Sequence, residues 1–376
     1  MKVSSSIMDS GSMIDPMTSG STPAKHPPLS RAEVASVIEG RSIARRVPIE
    51  IHFWVHSETF GERQTAVRQI LSAYPEDVQI VELRIPDIYQ SPEDDPEYRW
   101  VPADVLSSFD DPFQNESIPY DQRIALKDWS QLDEVLDRFP RPDYRGLFRN
   151  APTDDGRYRL GHWWYCLFER HWSLRGMTNA LTDYYEYPRQ VHRLFRALTD
   201  YYLGIMERGR KEQSLDGIFT SDDLGTQTQP FFSLKIFREF YKPYYRELIE
   251  RAHALGMHFW MHACGNIEPF IPDWIEIGLD VLHPIQKHTM NERQIAARYG
   301  NQLAIWAGLD VQQVIPWGTP EQVRAEVRFL MDTYWQPGKG RLMLTAGNGI
   351  NEDCPLESLQ AFFDEAVRYG AKVAQS

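Results

Sequence analysis

Gly256-Met257-His258-Phe259-Trp260-Met261-His262-Ala263-Cys264-Gly265 decides the fold reading. A helix-like segment closes at Gly256, and the apolar run that follows reads as a buried strand. In a strand, residues two apart project to the same side. The imidazole of His262 and the thiol of Cys264 therefore leave the strand together at its C-terminal end. A nitrogen and a soft sulfur on one face are half of a zinc site. The same pair also reads as a packed core histidine beside an inert thiol, so the rest of the chain has to discriminate.

Working outward, short apolar runs alternate with longer segments of helical spacing. Eight runs qualify as strands: residues 49–54, 78–83, 159–164, 215–220, 256–262, 280–283, 303–307 and 341–345. Between them lie helices, for example Phe237 through His253. Thr319-Pro320-Glu321-Gln322 carries a helix start, with a capping Thr, Pro in the first turn and an acid following. Strand-helix units in series mean a parallel sheet, and eight of them predict an α/β fold of the (β/α)8 TIM-barrel type. No GxGxxG follows the first strand, which removes the main dinucleotide signal.

Composition agrees with a soluble globular chain of 376 residues, 42% hydrophobic and 25% charged, enough to bury a full core. The net charge of −13 argues against a nucleic-acid partner, which needs a basic patch. The one cluster of that kind, Arg41 with Arg45-Arg46, reads as a solvated helix end. Three scattered cysteines, Cys166, Cys264 and Cys354, do not make a disulfide framework and fit a reducing, cytoplasmic setting. No run of 18 apolar residues spans a membrane. Residues 1–28, rich in Ser, Met, Pro and Gly, read as a disordered tail ahead of a single barrel domain over 29–376. Residues 84–157 lack periodicity and read as a loop insertion over the barrel mouth.

In such a barrel, function gathers where strands end. Those ends offer Trp54 and His56, then Asp222-Asp223, His262 and Cys264, His283 and Gln286, Trp306 and Asp310, and Asn348 with Cys354 further on. Asp222, Asp223 and His283 are the catalytic candidates. His56, Trp164, Gln286, Trp306 and Asn348 are the substrate-binding candidates. His262, Cys264 and Cys354 are the metal candidates. Each has a structural reading too. Asp222-Asp223 can cap the next helix, His283 before Pro284 can simply stop a strand, and Trp163-Trp164-Tyr165 can be core.

Several segments in order resemble the uroporphyrinogen decarboxylase superfamily: Leu215-Asp216-Gly217-Ile218-Phe219-Thr220-Ser221-Asp222-Asp223, Phe237-Arg238-Glu239-Phe240-Tyr241, His262-Ala263-Cys264-Gly265, Gly278 through Gln286, Gly308-Leu309-Asp310, and Gly347-Asn348-Gly349 with Pro355-Leu356-Glu357. The resemblance implies a (β/α)8 barrel with its active site at the C-terminal mouth. One branch of that superfamily comprises cofactor-free decarboxylases that hold a carboxylated tetrapyrrole with arginines after the first strand. Here that place reads His52-Phe53-Trp54-Val55-His56-Ser57, without arginine.

The other branch comprises zinc methyltransferases that work with a corrinoid, and their His-x-Cys matches His262 and Cys264. That branch's distal cysteine falls near Asn348, which is no thiolate. Asp222, His283 or Cys354 then remains to complete the metal site, or its third position stays open. The resemblance thus implies a Zn2+-dependent methyltransferase or demethylase acting with a corrinoid (methylcobalamin) and its carrier protein on a small-molecule substrate. A homodimer is an admissible assembly. The alternatives are a metal-free decarboxylase (a lyase) for a porphyrinogen, and a non-catalytic barrel that binds a corrinoid or porphyrin.

Overall fold

A computed structural model describes residues 26–86, 88 and 124–375. The expected tail up to residue 25, and residues 87 and 89–123 of the expected insertion, lie outside the described residues. Seven parallel strands form one sheet in sequence order. They are β1 (Val78–Glu82), β2 (Tyr158–Trp163), β3 (Gly217–Ser221), β4 (His258–His262), β5 (Val281–His283), β6 (Ala304–Leu309) and β7 (Leu342–Ala346). Every residue of β2, β3, β5, β6 and β7 is buried. A parallel sheet covered on both faces requires this, and it is why most of these strands read as largely apolar runs rather than alternating ones, while β2 buries Arg159 and His162 as well. The result is a TIM-barrel-like α/β fold.

The expected first strand, residues 49–54, is not a strand. Ile49 makes a single parallel bridge to Leu344, a 3-10 turn follows at His52–Trp54, and Val55 bridges to Ile350. Hydrogen bonds join the segment to β7 on one side (Glu50 N to Leu344 O, 3.0 Å) and to the residue before β1 on the other (Asp77 N to Ile49 O, 3.1 Å). The cause is local. A carboxyl oxygen of the buried Glu50 takes the N–H of Phe53 at 3.1 Å, a bond that curls the chain in place of a strand pairing. The curl turns Trp54 inward, where it is 3% exposed.

The helices follow their sequence signals with one exception. Thr319 caps helix Pro320–Tyr334 through a capping box with Gln322. The helical spacing from Phe237 hides a π-helical turn, Phe237–Tyr241, before the α-helix Lys242–Ala254. Pro243 lacks the N–H that would bond to Glu239, so the α ladder is interrupted there. Beyond the bulge, Tyr245 points inward and its hydroxyl donates to Asp222 at 2.6 Å.

Candidate metal centre at the strand ends

Strand register assembles the site. Ser221 of β3 is level with His262 of β4, and His262 is level with His283 of β5. Two residues past the first pair, Asp223 and Cys264 are again neighbours, and Asp223 Oδ1 accepts the backbone N–H of Cys264 at 2.8 Å. The Cys264 carbonyl accepts the N–H of Gly225 at 3.1 Å. These two loops touch main chain to main chain. A Cβ on Gly265, whose φ is +83°, would meet the Gly225 carbonyl carbon at 2.2 Å. On the other flank, Gln286 Oε1 accepts the N–H of Gly265.

Around that frame three donors converge. His262 Nε2 lies 3.2 Å from Cys264 Sγ and 3.4 Å from Asp223 Oδ1. One ligand atom from each of Asp223, His262 and Cys264 falls within 4.8 Å of the others. Asn348 Nδ2 reaches 4.0 Å from the same sulfur, while its Oδ1 takes the N–H of Gly349. Cys264 also lines a cleft bounded by Gln286, Leu309, Asp310, Gly347 and Asn348, so the sulfur is approached from the loops after β5, β6 and β7.

Electrostatics distinguish the members. Burial pushes the Cys264 thiol well above its usual value, and the Asp223 charge adds to this. The bare protein therefore keeps a thiol there, and a cation reverses the balance. Burial works to raise Asp223 too. Bonding to His262 and to the Cys264 N–H outweighs it and holds the carboxyl below its usual range. Burial drives His283 well below 6.5, helped by the neighbouring His262 charge. His162, close by on β2, is brought down to about 3 by burial and then by His262.

The remaining sequence candidates divide by position. Asp222 is fully buried and occupied: it accepts Leu167 N (2.7 Å), Glu169 N (2.9 Å) and the Tyr245 hydroxyl, and so caps helix Phe168–Arg175. Its carboxyl is pushed up to about 6 by burial. His283 stands behind His262, Nδ1 to Nδ1 at 2.7 Å. Trp164, 38% exposed, sets its ring 5.6 Å from His262 at the rim. Trp306 is fully buried, 4.6 Å from the His283 ring. His56 packs against Gly349 beside the Asn348 loop. Cys354 is buried apart from the cluster, its thiol toward Pro355 O at 3.4 Å and its carbonyl held by Arg63.

Two participants escaped the sequence reading. Asp223 appeared as a catalytic group, not as a third ligand. The signal was present, because Ser-x-Asp and His-x-Cys are the level ends of neighbouring parallel strands. Glu169 was missed outright. Buried at the start of its helix, it accepts the Ser221 hydroxyl, and burial with the Asp223 charge raises it well above the usual carboxyl range. No local motif marks it.

Residues 172–369 match the uroporphyrinogen decarboxylase (URO-D) family. Over 177 residues the chain is 25% identical to the methylated-thiol–coenzyme M methyltransferase of Methanosarcina mazei. That stretch spans 46% of this chain and 44% of the relative, less than half of its length. In structure, a methyltransferase from Methanosarcina mazei superposes with a TM-score of 0.54 at 14% identity, covering 90% of this chain and 98% of that one. The latter likeness is one of fold. With more than half its length matched, the chain belongs to the uroporphyrinogen decarboxylase family.

Proposed function

We propose that this chain is a zinc-dependent methyltransferase that moves a methyl group between a corrinoid and a small thiol. The observation that carries the reading is the convergence of Asp223, His262 and Cys264 beside a cleft. Carboxylate oxygen, imidazole nitrogen and thiolate sulfur are all zinc donors. Zinc bonds of about 2.0–2.3 Å in tetrahedral geometry put ligand atoms roughly 3.3–3.8 Å apart. The spacings of 3.2 and 3.4 Å here are close to that. Three protein ligands leave a fourth position, as in catalytic rather than structural zinc sites.

When bound, zinc would supply a Lewis acid that keeps an acceptor thiol deprotonated at neutral pH. The chain's own residues do the rest. Asp223 and the Gly225–Gly265 contact fix the Cys264 backbone, Asn348 directs an amide donor toward its sulfur, and Trp164 covers the His262 edge. A bound corrinoid would supply the methyl group as a formal cation and keep the electron pair of the broken carbon–cobalt bond, and the acceptor thiolate would take the methyl up as a carbon–sulfur bond.

The test joins composition to turnover. Protein purified without chelator is expected to hold one zinc per chain by elemental analysis. It is also expected to demethylate methylcobalamin with 2-mercaptoethanol, followed by the corrin absorption. No stoichiometric zinc, or equal turnover by Cys264→Ser, would overturn the reading. Uroporphyrinogen, followed by porphyrin fluorescence, is expected to be untouched; turnover there would favour the lyase alternative.

A further inference from the structure

Among the described residues that line the cleft at Cys264, the formally charged side chains are Lys287 and Asp310. They are not equivalent. The Lys287 ammonium is claimed twice: Glu292 Oε1 accepts from Nζ at 2.8 Å, and Glu326 pairs with the same nitrogen. It also lies 5.0 Å from the centre of the Phe329 ring. None of these three partners lines the cleft. Burial raises the Glu292 carboxyl, and Glu326 by itself is enough to cancel the ammonium. Asp310, after β6, is paired with no Lys or Arg among the described residues. It is 4% exposed, and its Oδ1 accepts the N–H groups of Gln312 (2.8 Å) and Gln313 (2.9 Å), which fix the carboxylate in the wall. Its Oδ2 lies 3.2 Å from Nε2 of His288, a side chain 56% exposed. The other polar side chains of the wall, Gln286, Gln312 and Asn348, are uncharged amides.

We propose that the cleft selects an acceptor thiol whose far end is cationic or neutral, and disfavours an anionic one, with Asp310 as the specificity-determining residue. A zinc ion held by Asp223, His262 and a Cys264 thiolate has its two positive charges matched by two negative ones. The sign of the cleft is then left to Asp310. A tail of like charge placed in the same cleft is repelled, and one of opposite charge is attracted, at separations where water screens little. Such repulsion discriminates between partners as effectively as a new contact does. Calling the selected molecule a methyl acceptor rests on the methyl-transfer reading above; the negative sign of the cleft does not.

The first readout needs neither zinc nor turnover. In metal-free protein, Cys264 is modified by 2-(trimethylammonium)ethyl methanethiosulfonate or by its 2-sulfonatoethyl counterpart, reagents of similar size and opposite permanent charge. Each rate, followed by mass spectrometry of the Cys264 peptide at about pH 8, above the ordinary range of an imidazole, is divided by the rate of the same reagent with free 2-mercaptoethanol. The cationic reagent is expected to be favoured about tenfold at low ionic strength, and less so in about 0.5 M salt. Asp310→Asn keeps an oxygen for the Gln312 and Gln313 N–H groups and is expected to lower that preference at least about threefold. Equal rates or an anionic preference in the parent would overturn the proposal, as would a parent-like preference in folded Asp310→Asn. Should that variant fail to fold, the parent ratio decides alone. The second readout is methylcobalamin turnover by the zinc-loaded enzyme. KM is expected to rise from cysteamine through 2-mercaptoethanol to 2-mercaptoethanesulfonate, with a narrower spread in Asp310→Asn; the reverse order overturns the proposal. No turnover with any thiol, beside the expected labelling ratio, overturns the methyl-transfer reading and leaves the sign of the cleft standing.

Discussion

The carboxylate of Asp223 lies 3.4 Å from Nε2 of His262, whereas the adjacent carboxylate of Asp222 turns away to cap a helix. Two consecutive aspartates at one strand end thus have separate duties. Substitution can pull them apart.

Asp222→Ala strands two backbone N–H groups and a tyrosine hydroxyl in the interior. An unsatisfied buried donor costs about 1–3 kcal/mol, so a loss of roughly 3–5 kcal/mol in unfolding free energy is expected. Denaturant titration measures it, and Tyr245→Phe, which removes one donor alone, should cost about 1 kcal/mol. A loss below that for Asp222→Ala would contradict the capping role.

Asp223→Asn is expected to lower the unfolding midpoint of the metal-free protein only modestly, since the amide oxygen still accepts the Cys264 N–H and the charge alone is lost. Zinc affinity should fall at least about tenfold, because a carboxylate donor is lost. Cys264→Ser should lose stoichiometric zinc, and Cys354→Ser should keep it. Competition with a chromophoric chelator reads all three. Loss of zinc in Cys354→Ser would move the site.

Zinc added at about 100 times its dissociation constant should raise stability by about 2.7 kcal/mol. The shift should vanish in Cys264→Ser and on adding a chelator. Thermal scans with and without zinc test this, and an equal shift in the serine variant would mean that the ion binds elsewhere.

Asn348→Cys should tighten zinc binding by about tenfold or more. The asparagine amide already lies 4.0 Å from Cys264 Sγ, and a second thiolate is a stronger zinc donor than an amide. An unchanged dissociation constant would show that the β7 loop cannot bring residue 348 to the ion.

Glu50 gives a pH signature. Burial first, then the Glu76 charge, raises its carboxyl well above the usual value. Above an unfolded value of about 4.3, the unfolded chain releases this proton while the native chain keeps it. The native state then binds more protons, so stability falls as pH rises, by up to about 1.4 kcal/mol per pH unit until the folded value is reached. Glu50→Gln should flatten that slope, measured by denaturation between pH 5 and 8. A parallel slope in parent and variant would rule Glu50 out as its source.

Much of this was legible in the sequence because the signals were local. β3 to β7 show themselves as mainly apolar runs, β2 less so because Arg159 and His162 interrupt it, and His262 with Cys264 follows from strand periodicity alone. The first strand failed for a reason no pattern carries, since a Glu50 carboxyl oxygen takes the Phe53 N–H and the chain curls there. The π turn needed Pro243 to be read against Glu239 four residues earlier. Which of Asp222 and Asp223 faces the site depends on Leu167, Glu169 and Tyr245, up to 55 positions away. Glu169 meets Ser221 across 52 positions of chain.

The contact of Gly225 with Gly265 has one more consequence. With no Cβ on either side, the loops after β3 and β4 pack backbone against backbone, and a side chain on either glycine would force them apart. Among the described residues, the cleft that opens on Cys264 is lined by Gln286, Asp310 and Asn348, so on that side these three bound the size of what can lie against the sulfur.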